Sequence, residues 1–268
     1  MERHGKTGSQ DWQDEQDWPH RLARGSPNHY NRRMNDVPPL LVRGLAALGI
    51  EREPRTIDTL QRYLDELERW NPAYGLVNAS GDELVIKHIL DSLAPWRLLE
   101  QMLEGCDLER AARGLEGRAA VSDIGTGAGL PGIPLSVIMP ARRFRLVERM
   151  GKRISFLESQ KAILPLENVE IVESEVERAP GPHDLVIFRA FRPFTELKLF
   201  KALWKNLAPG GLFFADKGKP FNAKVELAAL ATDPLLSGPF SKAAIEPVWV
   251  PFLEEERCIV VVRKPLQD

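Results

Sequence analysis

Hydrophobic positions change their spacing near residue 119, and this change divides the chain into two patterns. Before it, apolar residues recur every three to four positions, which is the spacing of a helix with one buried face. The predicted helices cover residues 39–49, 56–70 and 82–103, and residues 105–118 form a connector. We expect Thr56 to cap the second helix and Asn71-Pro72 to end it, because proline disfavours helix in the residue before it.

From residue 119 onward, short apolar strands alternate with helices. The predicted strands cover residues 120–124, 143–148, 169–173, 184–188 and 211–215, with helices over 152–164, 195–207 and after 222. Two further strands, 245–252 and 258–263, flank an acidic turn, which is typical of an antiparallel hairpin. Helical crossovers imply parallel strands covered on both faces. The sequence therefore predicts an α/β, Rossmann-like fold with a seven-stranded, mostly parallel sheet and a terminal antiparallel hairpin.

These patterns also suggest the domain organisation. Residues 1–36 are polar and show no period, so we expect a disordered or loosely docked tail. Residues 37–118 would form a small N-terminal helical unit with its connector, and residues 119–268 the α/β domain.

Composition narrows the function classes. The net charge of −2 excludes a chain that is basic throughout. Basic residues nevertheless concentrate in two segments, 141–161 and 187–224, which would form a positive patch if they share a face and otherwise are solvated helix faces. No apolar run approaches the ~18–20 residues of a membrane helix, and no leader is recognisable, so we expect a cytoplasmic protein without a membrane role. The two cysteines are far apart and suggest no metal site.

The segment DIGTGAGLPG, residues 123–132, is the strongest chemical signal. Its four glycines follow the first strand and precede a helix, where glycine permits positive φ and lets a ligand approach the backbone. Glu148 ends the second strand, where an acid can accept hydrogen bonds from the ribose hydroxyls of an adenosine cofactor. The alternatives are a plain structural turn and a surface glutamate beside Arg149. The favoured interpretation is a cofactor site.

Two more positions belong to the same edge of the predicted sheet. The loop 174–177 follows the third strand and would flank the adenine ring. Arg189 ends the fourth strand and could hold a cofactor carboxylate, an RNA phosphate or a base oxygen, or else form a structural salt bridge. In the helical unit, His88, Asp91 and Ser92 lie one turn apart, and we expect a buried hydrogen-bonded cluster that docks this unit on the sheet rather than a functional group.

Several segments together carry a specific signature. They are residues 123–132, GKRISFL at 151–157, LENVE at 166–170, RAF at 189–191, Lys217-Gly218, RWN at 69–71 and HILDSL at 88–93. Through them the chain resembles the bacterial 16S ribosomal RNA guanine-N7 methyltransferases, the glucose-inhibited division protein B family. The resemblance covers about residues 60–220.

The resemblance implies a class I methyltransferase fold, S-adenosylmethionine as cofactor, and methylation at N7 of a guanine in the 530 loop of 16S rRNA. The partner would be this rRNA or the small ribosomal subunit, and the enzyme a monomer. The implied cofactor residues are Asp123, Gly125, Thr126, Gly127, Leu130, Glu148, Val176, Glu177 and Arg189, with Arg189 also catalytic. The expected RNA contacts are Arg149, Lys152, Arg153, Arg192, Lys217 and Lys219.

Guanine N7 carries an in-plane lone pair, so methyl transfer needs alignment more than a general base. Two other functions stay open from the residues alone. A nicotinamide-dependent oxidoreductase also uses a glycine loop followed by an acid. A non-catalytic RNA-binding assembly factor could retain the fold.

Overall fold

A seven-stranded sheet organises the residues that the computed structural model describes, which are 39–266 without Arg52 and Phe191. The strands are β1 (Val121–Ile124), β2 (Phe144–Glu148), β3 (Val169–Glu173), β4 (His183–Arg189), β5 (Leu207–Lys217), β6 (Ala244–Val248) and β7 (Arg257–Arg263). Their order is β3-β2-β1-β4-β5-β7-β6, with β7 antiparallel to β5 and β6 and the other pairs parallel. The predicted sheet and its terminal hairpin are confirmed, whereas the expected tail lies outside the described residues.

Helices connect these strands and precede them. They are α1 (Pro39–Ala47), α2 (Pro54–Tyr74), α3 (Gly81–Leu84), a π-helix (Val85–Leu90), α4 (Asp91–Leu93), α5 (Trp96–Ala112), α6 (Gly132–Ile138), α7 (Gly151–Ile163), a 3₁₀-helix (Val176–Arg178), α8 (Leu197–Asn206), α9 (Pro220–Ala228) and α10 (Ser237–Phe240). In the part of the chain thus described, no helix is both long enough and apolar enough to span a bilayer.

Both predicted ends of α2 are wrong. The helix begins at Pro54, with Glu53 in the N-cap position instead of Thr56, because a proline in the first turn loses no intrahelical hydrogen bond. It also continues through Pro72 to Tyr74. Proline is tolerated there because the helix ends within a turn, at Gly75, whose φ of 57° reverses the chain.

The predicted helix over residues 82–103 is interrupted. Pro95 occupies the N-cap position of α5, so the chain breaks between α4 and α5. Helix α5 then extends to Ala112, which leaves the expected connector much shorter than residues 105–118. The π-helix Val85–Leu90 is also unpredicted, and such segments are frequent at functional sites.

Aromatic side chains fill the core beside β4 and β5. Helix α8 buries Leu199, Phe200, Leu203 and Trp204 on one face, as its hydrophobic spacing requires. These side chains pack with Phe188 of β4 and Phe213 of β5, whose rings meet at centroid distances of 5.6–6.4 Å. The strands are thereby fixed on a rigid support, and their carboxyl ends can present side chains in defined positions.

The carboxyl ends of the parallel strands define the edge at which a ligand is expected. The strand order reverses between β1 and β4, and ligands of open α/β sheets bind in the crevice at such a point. The glycine loop leaves β1 there, and Arg189 ends β4. Because Lys217 pairs with Cys258 near the start of antiparallel β7, the β6–β7 loop, residues 249–256, lies at the same edge.

Candidate active site

The glycine loop is tied to the end of β1 by a buried carboxylate. Asp123 Oδ2 accepts hydrogen bonds from Thr126 Oγ1 at 2.6 Å and from the Gly132 amide at 2.8 Å, so both ends of the loop bind one oxygen. Burial raises the pKa of Asp123 to about 6, against the opposing effect of these hydrogen bonds. Asp123 Oδ1 is buried without a hydrogen-bond partner among the described residues.

The predicted glycine loop and the predicted strand-end acid form one unit. Glu148, only 4% exposed, accepts a hydrogen bond from the Gly127 amide at Oε2 (3.0 Å), and from the Arg149 and Met150 amides at Oε1 (2.8 and 2.9 Å). Gly127 has a φ of 62°, which a residue with a Cβ rarely adopts. Backbone amides therefore hold the carboxylate in a fixed orientation beside the loop.

Tyr63 of α2 supports the glycine loop from the helical unit, a role that the sequence did not indicate. Its hydroxyl is fully buried and donates a hydrogen bond of 2.6 Å to the Ala128 carbonyl. Burial raises the pKa of Tyr63 well above its usual value, so the hydroxyl stays protonated as a donor. Arg62, its neighbour, donates to the Ile163 carbonyl at the end of α7.

Arg189 joins the end of β4 to the π-helix and α4. Its Nη1 donates to the Lys87 carbonyl at 2.9 Å and to Asp91 Oδ2 at 3.0 Å, and its Nη2 lies 3.0 Å from His88 Nδ1. Burial, and then the charge of Arg189, lower the pKa of His88 to about 4, so the imidazole is neutral and accepts this hydrogen bond at Nδ1. The guanidinium thus forms the structural salt bridge that was the alternative for this residue, while its buried Nε has no partner among the described residues.

The expected docking cluster of the helical unit is confirmed for two of its three residues. His88 and Asp91 bond to β4 through Arg189, and Asp91 Oδ1 also accepts from Arg257 Nε of β7 at 3.1 Å. Ser92 is buried too, but its hydroxyl finds no hydrogen-bond partner in the described part of the chain. The expectation for Ser92 is therefore wrong, since its side chain packs without joining the network.

Asp216 is a site residue that the sequence analysis missed. It is the penultimate residue of β5 and pairs with Arg189 across the sheet, and its pKa is raised to about 8 by burial first and by the negative charge of Asp91 second. The rule that strand ends face the crevice could have found it. Arg257 and Tyr63 could not have been found in this way, because nothing in their local sequence marks the partner.

The family model of GidB, rRNA small subunit methyltransferase G, matches residues 56–238. The chain belongs to this family. It is 32% identical over 246 residues to the ribosomal RNA small subunit methyltransferase G of Treponema denticola, covering 84% of this chain and 94% of that protein. It is 36% identical to the enzyme of the same name from Salmonella schwarzengrund, covering 83% and 96%.

Among solved structures, the chain is similar to the magnesium protoporphyrin IX methyltransferase of Synechocystis PCC 6803 with bound SAM. The identity is 14%, the TM-score is 0.45, and the match covers 80% of this chain and 98% of that one.

The remaining cofactor residues expected for this family member lie along the same edge. Leu130 and Thr126 are buried within the loop that follows β1. Val176 packs against the core from the 3₁₀-helix after β3, whereas Glu177 is exposed. The structure thus brings the ends of β1 to β4 to one edge and adds Asp216 of β5.

The six expected RNA contacts divide into two groups. Arg149, Lys152 and Lys219 are exposed, and Arg192, 61% exposed, pairs with Glu196 one turn along. The other two cations are already engaged. Arg153 Nη1 lies 3.4 Å from Glu148 Oε2. Lys217, 11% exposed, pairs with Glu226 at 2.7 Å and lies over the Phe194 ring.

The basic segment 141–161 is also less exposed than its composition suggested. Arg142 is buried and pairs with Asp107 of α5 at 2.5 Å, so it belongs to the interior.

Proposed function

We propose that this chain is an S-adenosylmethionine-dependent methyltransferase that modifies N7 of a guanine in the 530 loop of 16S rRNA. Membership of the rRNA small subunit methyltransferase G family carries the proposal. The unit formed by Glu148 and the glycine loop supports its cofactor part. The protein would act in the cytoplasm as a monomer, on the rRNA or on the small ribosomal subunit.

The residues at the sheet edge fit an adenosine cofactor with an amino-acid tail. Glu148 is a fixed carboxylate at the end of β2, where ribose hydroxyls can donate to it. The glycine loop, residues 123–132, permits close approach of a ligand to its backbone. Val176 and Glu177 would border the adenine. Asp123 Oδ1 and Arg189 Nε are buried and have no hydrogen-bond partner among the described residues. Asp123 Oδ1 is suited to accept from the ammonium of the amino-acid tail, and Arg189 Nε is suited to donate to its carboxylate.

S-adenosylmethionine, when bound, supplies an electrophilic methyl group on a sulfonium. The chain itself has to orient guanine N7 and exclude water, because the N7 lone pair attacks without prior deprotonation. The titratable groups around Arg189 agree with this need. His88 is neutral, with a pKa lowered to about 4, and burial together with the negative charge of Asp91 raises the pKa of Asp216 and favours its protonated form.

On the RNA side, exposed Arg149, Lys152, Arg192 and Lys219 would contact phosphates, which position the substrate without specifying its sequence. Phe221, 72% exposed, is the second residue of α9 and lies two positions after Lys219, and Trp249, 65% exposed, follows β6. Exposed aromatic rings next to basic residues are suited to stacking with unpaired bases.

Incubation of the protein with labelled S-adenosylmethionine and unmodified small ribosomal subunits tests the proposal. We expect a single N7-methylguanine in the 530 loop, mapped by chemical cleavage. Gly125→Asp should abolish it, because a side chain at a φ of 68° both strains and blocks the loop. Arg189→Ala should also abolish it, whereas Glu170→Gln on the exposed side of β3 should not.

Two other outcomes separate the alternatives. If the cofactor binds but RNA is not methylated, the substrate assignment is wrong. If S-adenosylmethionine does not bind at all, the methyltransferase proposal is wrong, and the oxidoreductase and the assembly factor return.

A further inference from the structure

A cavity of about 580 Å³ opens next to the Arg189 network. Glu83, Ile86 and Lys87 line it from α3 and the π-helix, Lys219 lines it from the start of α9, and residues 252–256 line it from the β6–β7 loop. Two contacts join these walls to the site. The Lys87 carbonyl accepts from Arg189, and Arg257, which follows the loop, bonds to Asp91.

We propose that this cavity holds the target guanine and reads it through carboxylates of the segment Glu254–Glu256. The inference deepens the proposed function and rests on it. The volume suits one nucleotide, since small-molecule pockets measure ~300–1,000 Å³. Phe252 is 41% exposed and has the Arg43 guanidinium over its ring at 5.1 Å from the centroid, so an unpaired base would stack on the opposite face, and exposed Lys219 offers a cation for a phosphate.

The carboxylates of Glu254, Glu255 and Glu256 are exposed and available. Two of the neighbouring cations have other partners, since Lys87 pairs with Glu83 at 2.7 Å, although it is also attracted to Glu255, and Arg257 pairs with Asp91 at 3.1 Å. A carboxylate accepts two parallel hydrogen bonds. Among the four RNA bases, guanine alone presents two adjacent donors, N1–H and the N2 amino group, on its Watson–Crick edge. An acidic wall is therefore matched to guanine.

The same arrangement suits the chemistry at N7. A carboxylate on the Watson–Crick edge leaves N7, on the opposite side of the base, free to attack. The N7 lone pair forms the bond to the methyl carbon while the carbon–sulfur bond breaks and its electron pair stays on sulfur, so the positive charge moves onto the base. Carboxylates beside the base stabilise the charge that develops there.

Inosine tests the proposed contact between a carboxylate and the N2 amino group, because inosine differs from guanosine only by the absence of this group. The substrates are small-subunit RNAs that carry either guanosine or inosine at the target position. Both are supplied as free rRNA or as assembled subunits, according to which of these two the wild type methylates. Glu254→Gln, Glu255→Gln and Glu256→Gln are compared with Glu246→Gln, an exposed glutamate of β6 outside the cavity. The readout is kcat/KM for each substrate.

We expect the wild type and Glu246→Gln to prefer guanosine by about tenfold or more, as is usual when a polar site loses a partner. At least one loop variant should lose most of this preference, by slowing guanosine about tenfold while inosine changes little. An unchanged guanosine-to-inosine ratio in all three loop variants would overturn the cavity proposal and leave the proposed function intact. A wild type that methylates neither RNA would overturn the proposed function, and the cavity proposal with it.

Discussion

Asp91 is the residue whose loss should destabilise the site most. Its carboxylate is 7% exposed and bonds to Arg189 at 3.0 Å and to Arg257 at 3.1 Å, cations that are 11% and 21% exposed. Asp91→Asn keeps the shape and removes the charge, which leaves two nearly buried cations without their counter-charge. Removal of one partner of a buried pair costs about 3–5 kcal/mol, and partial exposure of Arg257 places the expected loss near the lower end.

Asp216 should soften this loss in a pH-dependent way. The pKa of Asp216 is raised by burial and then by the negative charge of Asp91, while Arg189 and Arg257 act in the opposite direction. In Asp91→Asn the repulsion disappears, so the pKa of Asp216 falls and its carboxylate can replace part of the missing charge. The loss of stability relative to the wild type should therefore be larger at about pH 5 than at about pH 8. When Asp91→Asn is introduced into the Asp216→Asn variant, and its effect is measured relative to that single variant, the loss should be the same at both pH values.

Urea unfolding, followed by circular dichroism at both pH values, measures these differences. The matched control is Glu170→Gln, which breaks a 3.4 Å pair with Arg145 in which the glutamate is 64% exposed, and which should cost less than about 1 kcal/mol. If Asp91→Asn costs no more than this control, Asp91 is not the counter-ion that holds the network, and the reasoning fails. If the cost of Asp91→Asn is equal at both pH values in the wild-type background, or varies just as much in the Asp216→Asn background, the coupling to Asp216 is refuted.

Three further changes test other parts of the site. Tyr63→Phe removes the 2.6 Å hydrogen bond to the glycine loop, so we expect a loss of about 1 kcal/mol in unfolding experiments and a several-fold higher KM for S-adenosylmethionine with little change in kcat. Glu148→Gln should weaken cofactor binding about tenfold or more in calorimetry, since the charged acceptor for the ribose is lost; unchanged affinity would remove Glu148 from the cofactor site. Asp216→Asn should be more stable than the wild type near pH 8. The folded pKa of about 8 lies above the unfolded value near 3.9, so the wild type loses stability as the pH rises through this window, and the advantage of the variant should vanish at about pH 4.

The strands could be predicted closely because their signal is local. Strand β3, Val169–Glu173, agrees with its prediction to the residue, and the antiparallel position of β7 follows from the terminal hairpin. The predictions of the helix ends were wrong where a single residue type was given too much weight. Pro72 lies in the last turn of α2, where its missing amide costs one hydrogen bond, whereas Pro95 divides two helices that periodicity had joined.

The candidate site divides in the same way. Residues that follow a strand could be located from the sequence, because topology alone brings strand ends to one edge. Their partners could not, since the contacts of Arg189 with Asp91 and of Tyr63 with Ala128 each span more than sixty residues. Three-dimensional packing brings such partners together, and the periodicity of the sequence contains no information about them. The exposure of a side chain is also decided by three-dimensional packing, since Arg142 is buried although it lies in a basic segment of the sequence.

The helical unit supports the carboxyl edge of the sheet at two places. Tyr63 holds the loop after β1, and the π-helix with Asp91 holds Arg189 at the end of β4, while Arg62 adds a contact at the far end of α7. A sheet of this topology leaves its carboxyl edge open, and loops at such an edge are mobile unless they are tied down. Anchoring from one rigid support fixes these loops relative to each other. The predicted boundary at residue 118 therefore separates two patterns of sequence, while the geometry that methyl transfer would need depends on residues from both sides of it.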